Sequence, residues 1–132
     1  MDVFSNWPTY WFGCWSEFGD DYSKCPSIDE FVDTNWEYPN LSKLVEYLTI
    51  APIIATTSRM AIPWAKGEGD NRSSISYRSD GKWLWLDDLD YYVREHKLRL
   101  PDRFVNDIEI ANFTLPNELI IDPQQLDWPP IS

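Results

Sequence analysis

"SYRSDGKWLWLDDLDYYVREHKLRLP", residues 76–101, decides the fold. Ile75 and Tyr77 alternate with polar neighbours ahead of Asp80–Gly81, and Trp83 and Trp85 alternate with Lys82 and Leu84 after it. Two period-2 segments around an Asp-Gly pair predict a β-hairpin over about residues 74–85. Gly81 can take the positive φ of the turn, and Asp80 tolerates it better than most residues do. Asp87 or Asp88 can then cap a helix running to about His96, with Leu89, Tyr92 and Val93 inward. Acids at its start and Arg94, His96 and Lys97 at its end suit the helix dipole. The one histidine of the chain therefore has a structural explanation, as a C-terminal cation or a solvated side chain.

Downstream, Pro101 favours the first turn of a further helix that turns Phe104, Val105 and Ile108 inward. The tail from Leu115, with prolines at 116, 123, 129 and 130, reads as an extended Pro-rich wrap, with "ELIID" offering one short edge strand. Upstream, "PWAKGEGDNR" reads as a polar loop, and the β-branched run after Pro52 predicts a central strand over residues 53–60. Leu41, Leu44, Val45 and Leu48 form one apolar stripe, predicting a helix that "AP" at 51–52 ends. At "CPSIDEFVDTNW" Ser27 and Glu30 have the spacing of a capping box. A helix is expected from Ser27, with Ile28, Phe31, Val32 and Asn35 or Trp36 on its inner side and Asp29, Glu30, Asp33 and Glu37 outward. Residues 2–25 carry eight aromatics with no clean period, interrupted by Pro8, Gly13 and Gly19, which predicts a short strand or irregular structure with most rings in the core. The expected fold is α+β: a small antiparallel sheet containing the hairpin, packed by about four helices, in a single domain spanning residues 1–132.

The chain is rich in aromatics, with 8 Trp, 7 Tyr and 6 Phe against 5 Gly, which disfavours disorder. Its 22 acids and 11 bases give a net charge of −11, unfavourable for tracking phosphates directly. A basic partner is favoured instead. Residues 1–50 hold nine acids and two bases, a net −7, so the amino-terminal segment is the more acidic part. No apolar run reaches the roughly 20 residues of a membrane span, and "MDVFSNWPTYW" lacks a signal peptide's basic start, so the cytoplasm is the expected compartment and no membrane partner is expected. In a reducing compartment Cys14 and Cys25 read as two small core residues rather than a disulfide.

Catalytic chemistry is thinly provided. Asp87, Asp88 and Asp90 sit at a helix start, where capping and solvation account for them. Only His96 could activate a Ser or Cys nucleophile, and no nucleophile-elbow motif accompanies it. "GEG" at 67–69 lacks the context of a phosphate cradle, and no His or Cys pair has metal-ligand spacing. The expectation is a protein that is not an enzyme and carries no cofactor or metal.

The quoted stretch also resembles a pattern of small bacterial proteins: Asp-Gly-x-Trp-x-Trp, then Leu-x-Tyr-Tyr-Val-x-x-His-x-x-x-Leu-Pro. Several of these look like immunity proteins of polymorphic or contact-dependent growth-inhibition toxin systems. The resemblance covers residues 53–113 and leaves the amino-terminal third unmatched. It implies a cytoplasmic antidote that binds one cognate toxin domain, frequently a nuclease, and blocks its active site or substrate surface. The pattern supplies core positions and no contact residue. The charge asymmetry instead points to Trp11, Trp15, Glu17, Asp20, Asp21, Tyr22, Asp29 and Asp33 as partner-binding residues, on the loop "SEFGDD" and the outer face of the helix from Ser27. Two alternatives fit some of the same residues: a carbohydrate-binding module stacking sugars on exposed aromatics, and an acidic mimic of nucleic acid.

Overall fold

A computed structural model describes residues 3–56 and 76–130. Four strands, β1 (Trp11–Phe12), β2 (Ile53–Thr56), β3 (Ser76–Ser79) and β4 (Leu84–Leu86), form one sheet in the order β1-β4-β3-β2. Three α-helices accompany it: α1 (Leu41–Ile50), α2 (Leu89–Glu95) and α3 (Asp102–Ile110). The class is α+β. The sheet is mixed rather than purely antiparallel, because β1 lies parallel to β4, with Trp11 opposite Leu84 and Phe12 opposite Trp85. A parallel neighbour belongs where both faces are covered. Every residue from Trp83 to Leu86 is buried, so "WLWL" is a two-sided core segment rather than an alternating surface strand.

The hairpin pairs β3 with β4 in the register Tyr77↔Leu86, Arg78↔Trp85, Ser79↔Leu84. Ser74 and Ile75, its expected start, lie outside the described residues, as do residues 57–60 of the expected strand and the loop "PWAKGEGDNR". The connection spans residues 80–83 and is held by one carboxylate. Asp80 Oδ1 accepts from the amides of Lys82 (3.0 Å) and Trp83 (2.7 Å), while its Oδ2 accepts from the Tyr47 hydroxyl of α1 (2.7 Å). Gly81 sits at φ 96°, the positive value expected of it. β2 is an edge strand rather than a central one, pairing only with β3 among the described residues.

One face of the hairpin is closed by α1 and α3. Trp83 stacks on Phe104 with centroids 4.4 Å apart at 12°, and its indole N–H donates to Asp107 (2.8 Å). Trp85, two residues on and so on the same face, leans on Phe104 and donates its N–H to the Leu48 carbonyl (3.1 Å). On the opposite face Tyr77 meets Trp128 edge-on at 5.2 Å. The amino-terminal rings make a second part of the core: Phe12 meets Trp7, Trp15 and Phe31 edge-to-face at 5.0–5.4 Å. Cys14 and Cys25 are buried free thiols. Cys14 donates to Cys25, which with burial pushes the Cys14 pKa well up and draws that of Cys25 down.

The helix expected from Ser27 is a single 3-10 turn, Ile28–Phe31, although its capping box is present. Val32 turns extended and bridges Leu98, while the Asp33 amide donates to the Lys97 carbonyl (2.9 Å) and the Arg99 amide to that of Phe31 (2.8 Å). Pairing with the segment before Pro101 takes the backbone groups that a longer helix would have used. "ELIID" forms no strand. It belongs to a tail that contributes side chains instead, with Leu119 against Gly81 and Asp127 accepting from the Tyr10 amide (3.0 Å). Among the described residues no helix is long and apolar enough to cross a membrane.

Trp85→Ala should lower stability by about 3–5 kcal/mol, since it empties a site only 1% exposed; denaturant unfolding measures this, and wild-type stability in that variant would contradict the packing. A second expectation concerns alkaline pH. Burial, reinforced by Asp80 at Tyr47 and by Cys14 and Tyr22 at Tyr77, raises both phenol pKa values in the folded state. A raised folded pKa means the folded state binds more protons, so this stability is complete below the ordinary tyrosine pKa of about 10 and falls as pH rises past it. The unfolding midpoint should fall above that pH, with tyrosinate absorbance of these two groups appearing only on unfolding, and less steeply in Tyr47→Phe.

Candidate partner-binding surface

The eight residues expected to bind a partner divide by burial. Trp11, Trp15 and Tyr22 are 7%, 0% and 2% exposed and belong to the core, so they offer no anchor at the surface of this fold. Their density explains this: an aromatic-rich segment of this length must supply its own interior. Glu17, Asp20 and Asp29 are exposed. Glu17 is also structural, accepting from the Ser27 hydroxyl and from the Ile28 amide (2.9 Å), and so ties the 3-10 turn Ser16–Phe18 to the turn Ile28–Phe31. Asp20 and Asp21 lie together in the 3-10 turn Asp20–Tyr22. Asp33 is half-buried and points inward, accepting from Arg99 Nη1 (3.1 Å) and from the Asn35 amide (3.1 Å). Asp20 and Asp29 are the remaining exposed carboxylates of the set.

A second feature lies alongside. After Asp33 the chain runs through "TNWEYPN", where Trp36 and Tyr38 are half-buried and stacked on one another, centroids 5.7 Å apart at 20°. They form a ridge between two grooves. The larger, about 510 Å³, separates the ridge from α3 and is lined by Trp36, Tyr38, Leu100, Asp102, Val105 and Glu109, with Arg103 and Asn106 beside them. The smaller, about 200 Å³, lies between the ridge, Leu41, Val93 and Lys97.

The larger trough has a defined polarity. Asp102, Val105, Asn106 and Glu109 follow helical spacing along one side of α3. The Tyr38 hydroxyl donates to Glu109 Oε2 (2.6 Å), and burial together with that carboxylate raises the Tyr38 pKa. Arg103 sends its charge elsewhere: Nη1 donates to the Trp7 carbonyl (2.6 Å), and the guanidinium lies 4.5 Å over the Tyr10 ring. Asp102 accepts from Arg99 (3.2 Å) while remaining about half exposed. The trough thus has an aromatic wall, an apolar floor and a polar rim in which Asp102 and Glu109 stand beside Arg103 and Asn106.

Sequence reasoning missed this trough because Trp36 was assigned to the inner side of a helix. The available signal was the pair of rings at i and i+2 with proline following, since the residue before proline is pushed to extended backbone, which sets alternate side chains on one side. His96 has the structural place expected of it, at the end of α2 with Nε2 3.2 Å from the Tyr91 hydroxyl. Among the described residues no three His, Cys, Asp or Glu gather as metal ligands. Compared with protein-family models, curated proteins and solved structures, the chain has no match in any of the three.

Proposed function

We propose that this chain is an immunity-type protein that binds one basic bacterial toxin domain, most naturally a nuclease, and neutralises it stoichiometrically in the cytoplasm by covering its active site or substrate surface. The observation that carries the reading is the charge: −11 overall, with −7 on residues 1–50. A nuclease must bind a polyanion and presents a basic surface for it, so an acidic inhibitor competes for that surface and is steered to it. In the amino-terminal half, Asp20, Asp29, Glu30 and Glu37 are exposed against Lys24 and Lys43. The resemblance of residues 76–101 to immunity-type proteins points the same way.

The direct test is co-expression with the product of the neighbouring gene, which this reading expects to carry a toxin domain. Cells carrying both should survive, and the purified pair should form a complex of fixed stoichiometry that abolishes toxin activity. No protection, or a hydrolase or transferase activity of this chain abolished by a single carboxylate substitution, would overturn the reading.

Steering can be measured separately. Replacing Asp20, Asp21 and Asp29 by Asn should slow association about threefold to tenfold at low salt, with the difference closing as salt rises and the Debye length falls below about 10 Å. The comparison is Glu95 and Glu118 replaced by Gln and Asp122 by Asn, three exposed acids outside residues 1–50. Equal slowing in both triple variants would remove the amino-terminal assignment.

A further inference from the structure

We infer that the trough between the Trp36–Tyr38 ridge and α3 is the seat of an arginine side chain supplied by the partner, the short-range anchor that complements the diffuse acidic field. This rests on the reading of a basic partner and goes beyond it by naming the residue type received and the residues that receive it. Three features converge on a cation with an apolar stem. Trp36 and Tyr38 line the trough as a stacked pair, and aromatic rings attract guanidinium groups placed within about 6 Å of a ring centroid. Val105 gives the methylene stem an apolar floor, as long cationic side chains require. Asp102 and Glu109 lie seven positions, about two turns, apart on α3 and offer carboxylate oxygens to a planar fork of donors.

Among the described residues, Arg103 in the trough lining and Arg99 bonded to Asp102 are both engaged elsewhere. Arg103 is spent on the Trp7 and Thr9 carbonyls and on the Tyr10 ring, and Arg99 bridges Asp33 and Asp102 while lying 4.2 Å over Phe4. The same chain thus uses arginine on aromatic faces twice within its own fold, and neither of those two guanidinium groups stacks on the Trp36–Tyr38 ridge. Arginine fits better than lysine because its planar donors can reach a carboxylate and stack on a ring at once. The Tyr38 hydroxyl, by holding Glu109 Oε2, fixes one acceptor in place before the partner arrives.

The experiment is an amide and indole NMR titration of the full chain with a tetra-arginine peptide at about 0.15 M salt, with tetra-lysine, tetra-glutamate and a neutral oligosaccharide run beside it. Trp36→Phe assigns the Trp36 indole signal and keeps an aromatic face. The expected result is a saturable shift of the Trp36 indole and of amides at 102–109 with tetra-arginine, smaller with tetra-lysine and absent with the other two. Glu109→Gln and Asp102→Asn, both at exposed positions, should each weaken that binding about threefold to tenfold, with cooperative thermal unfolding showing that the fold is retained. Shifts centred on residues 16–30 with the Trp36 indole unmoved, unaltered affinity in both variants, or the same signals moved by the oligosaccharide would overturn the inference. The toxin reading fails by a different result, loss of protection in cells, which leaves a trough that still seats tetra-arginine standing. Protection that survives while the trough stays unmoved removes the trough alone.

Discussion

The stacking of Trp83 on Phe104 is the joint on which the three parts of the molecule depend. Trp83 ends the hairpin connection, Phe104 belongs to α3, and Tyr10 of the amino-terminal segment meets the same indole edge-on at 5.2 Å. The indole N–H is satisfied by Asp107 one turn further along α3. A single 0%-exposed side chain thus fixes α3 against the sheet and brings the amino-terminal segment beside it. The trough inherits that order: its far wall is the outer side of the helix whose inner side holds Phe104 and Ile108. Its near wall is set by the backbone bonds that tie residues 31–33 to 97–99.

Much of the fold was legible wherever local pattern and tertiary packing agree. The Asp80–Gly81 turn, the inward Leu89, Tyr92 and Val93, the Leu44 and Leu48 stripe and the capping box at Ser27 all appear in place, because each depends on neighbours within a few residues. The departures all involve distant partners. β1 is two residues long and takes its direction from β4, which no local periodicity encodes. The helix from Ser27 stops at Phe31 because residues near Leu98 compete for its backbone groups. The candidate surface was legible as a sign of charge and not as a place. Net acidity survives any folding, whereas the choice between core and surface for Trp11, Trp15, Trp36 and Tyr38 is made by packing alone.

Carboxylates in this chain serve two ends that compete for the same residues. Glu17, Asp33, Asp80 and Asp107 are held by hydrogen bonds inside the fold, and their charge is compensated locally by hydroxyls, amides or cations. Asp20 and Asp29 stand outward, where their charge reaches solvent. An acidic protein of this size needs both kinds, since outward charge alone would repel the compact state against itself.

The parallel pairing of β1 with β4 has a consequence for how the chain comes off the ribosome. Trp11 waits for Leu84, 73 positions later, and the Tyr10 amide waits for Asp127. At ordinary synthesis rates the first interval lasts on the order of several seconds. Throughout it, a segment dense in tryptophan and phenylalanine has no sheet to join. Asp2 ahead of those rings and Glu17, Asp20 and Asp21 behind Trp15 give the nascent segment a net negative charge, and mutual repulsion between such segments disfavours their association while they wait.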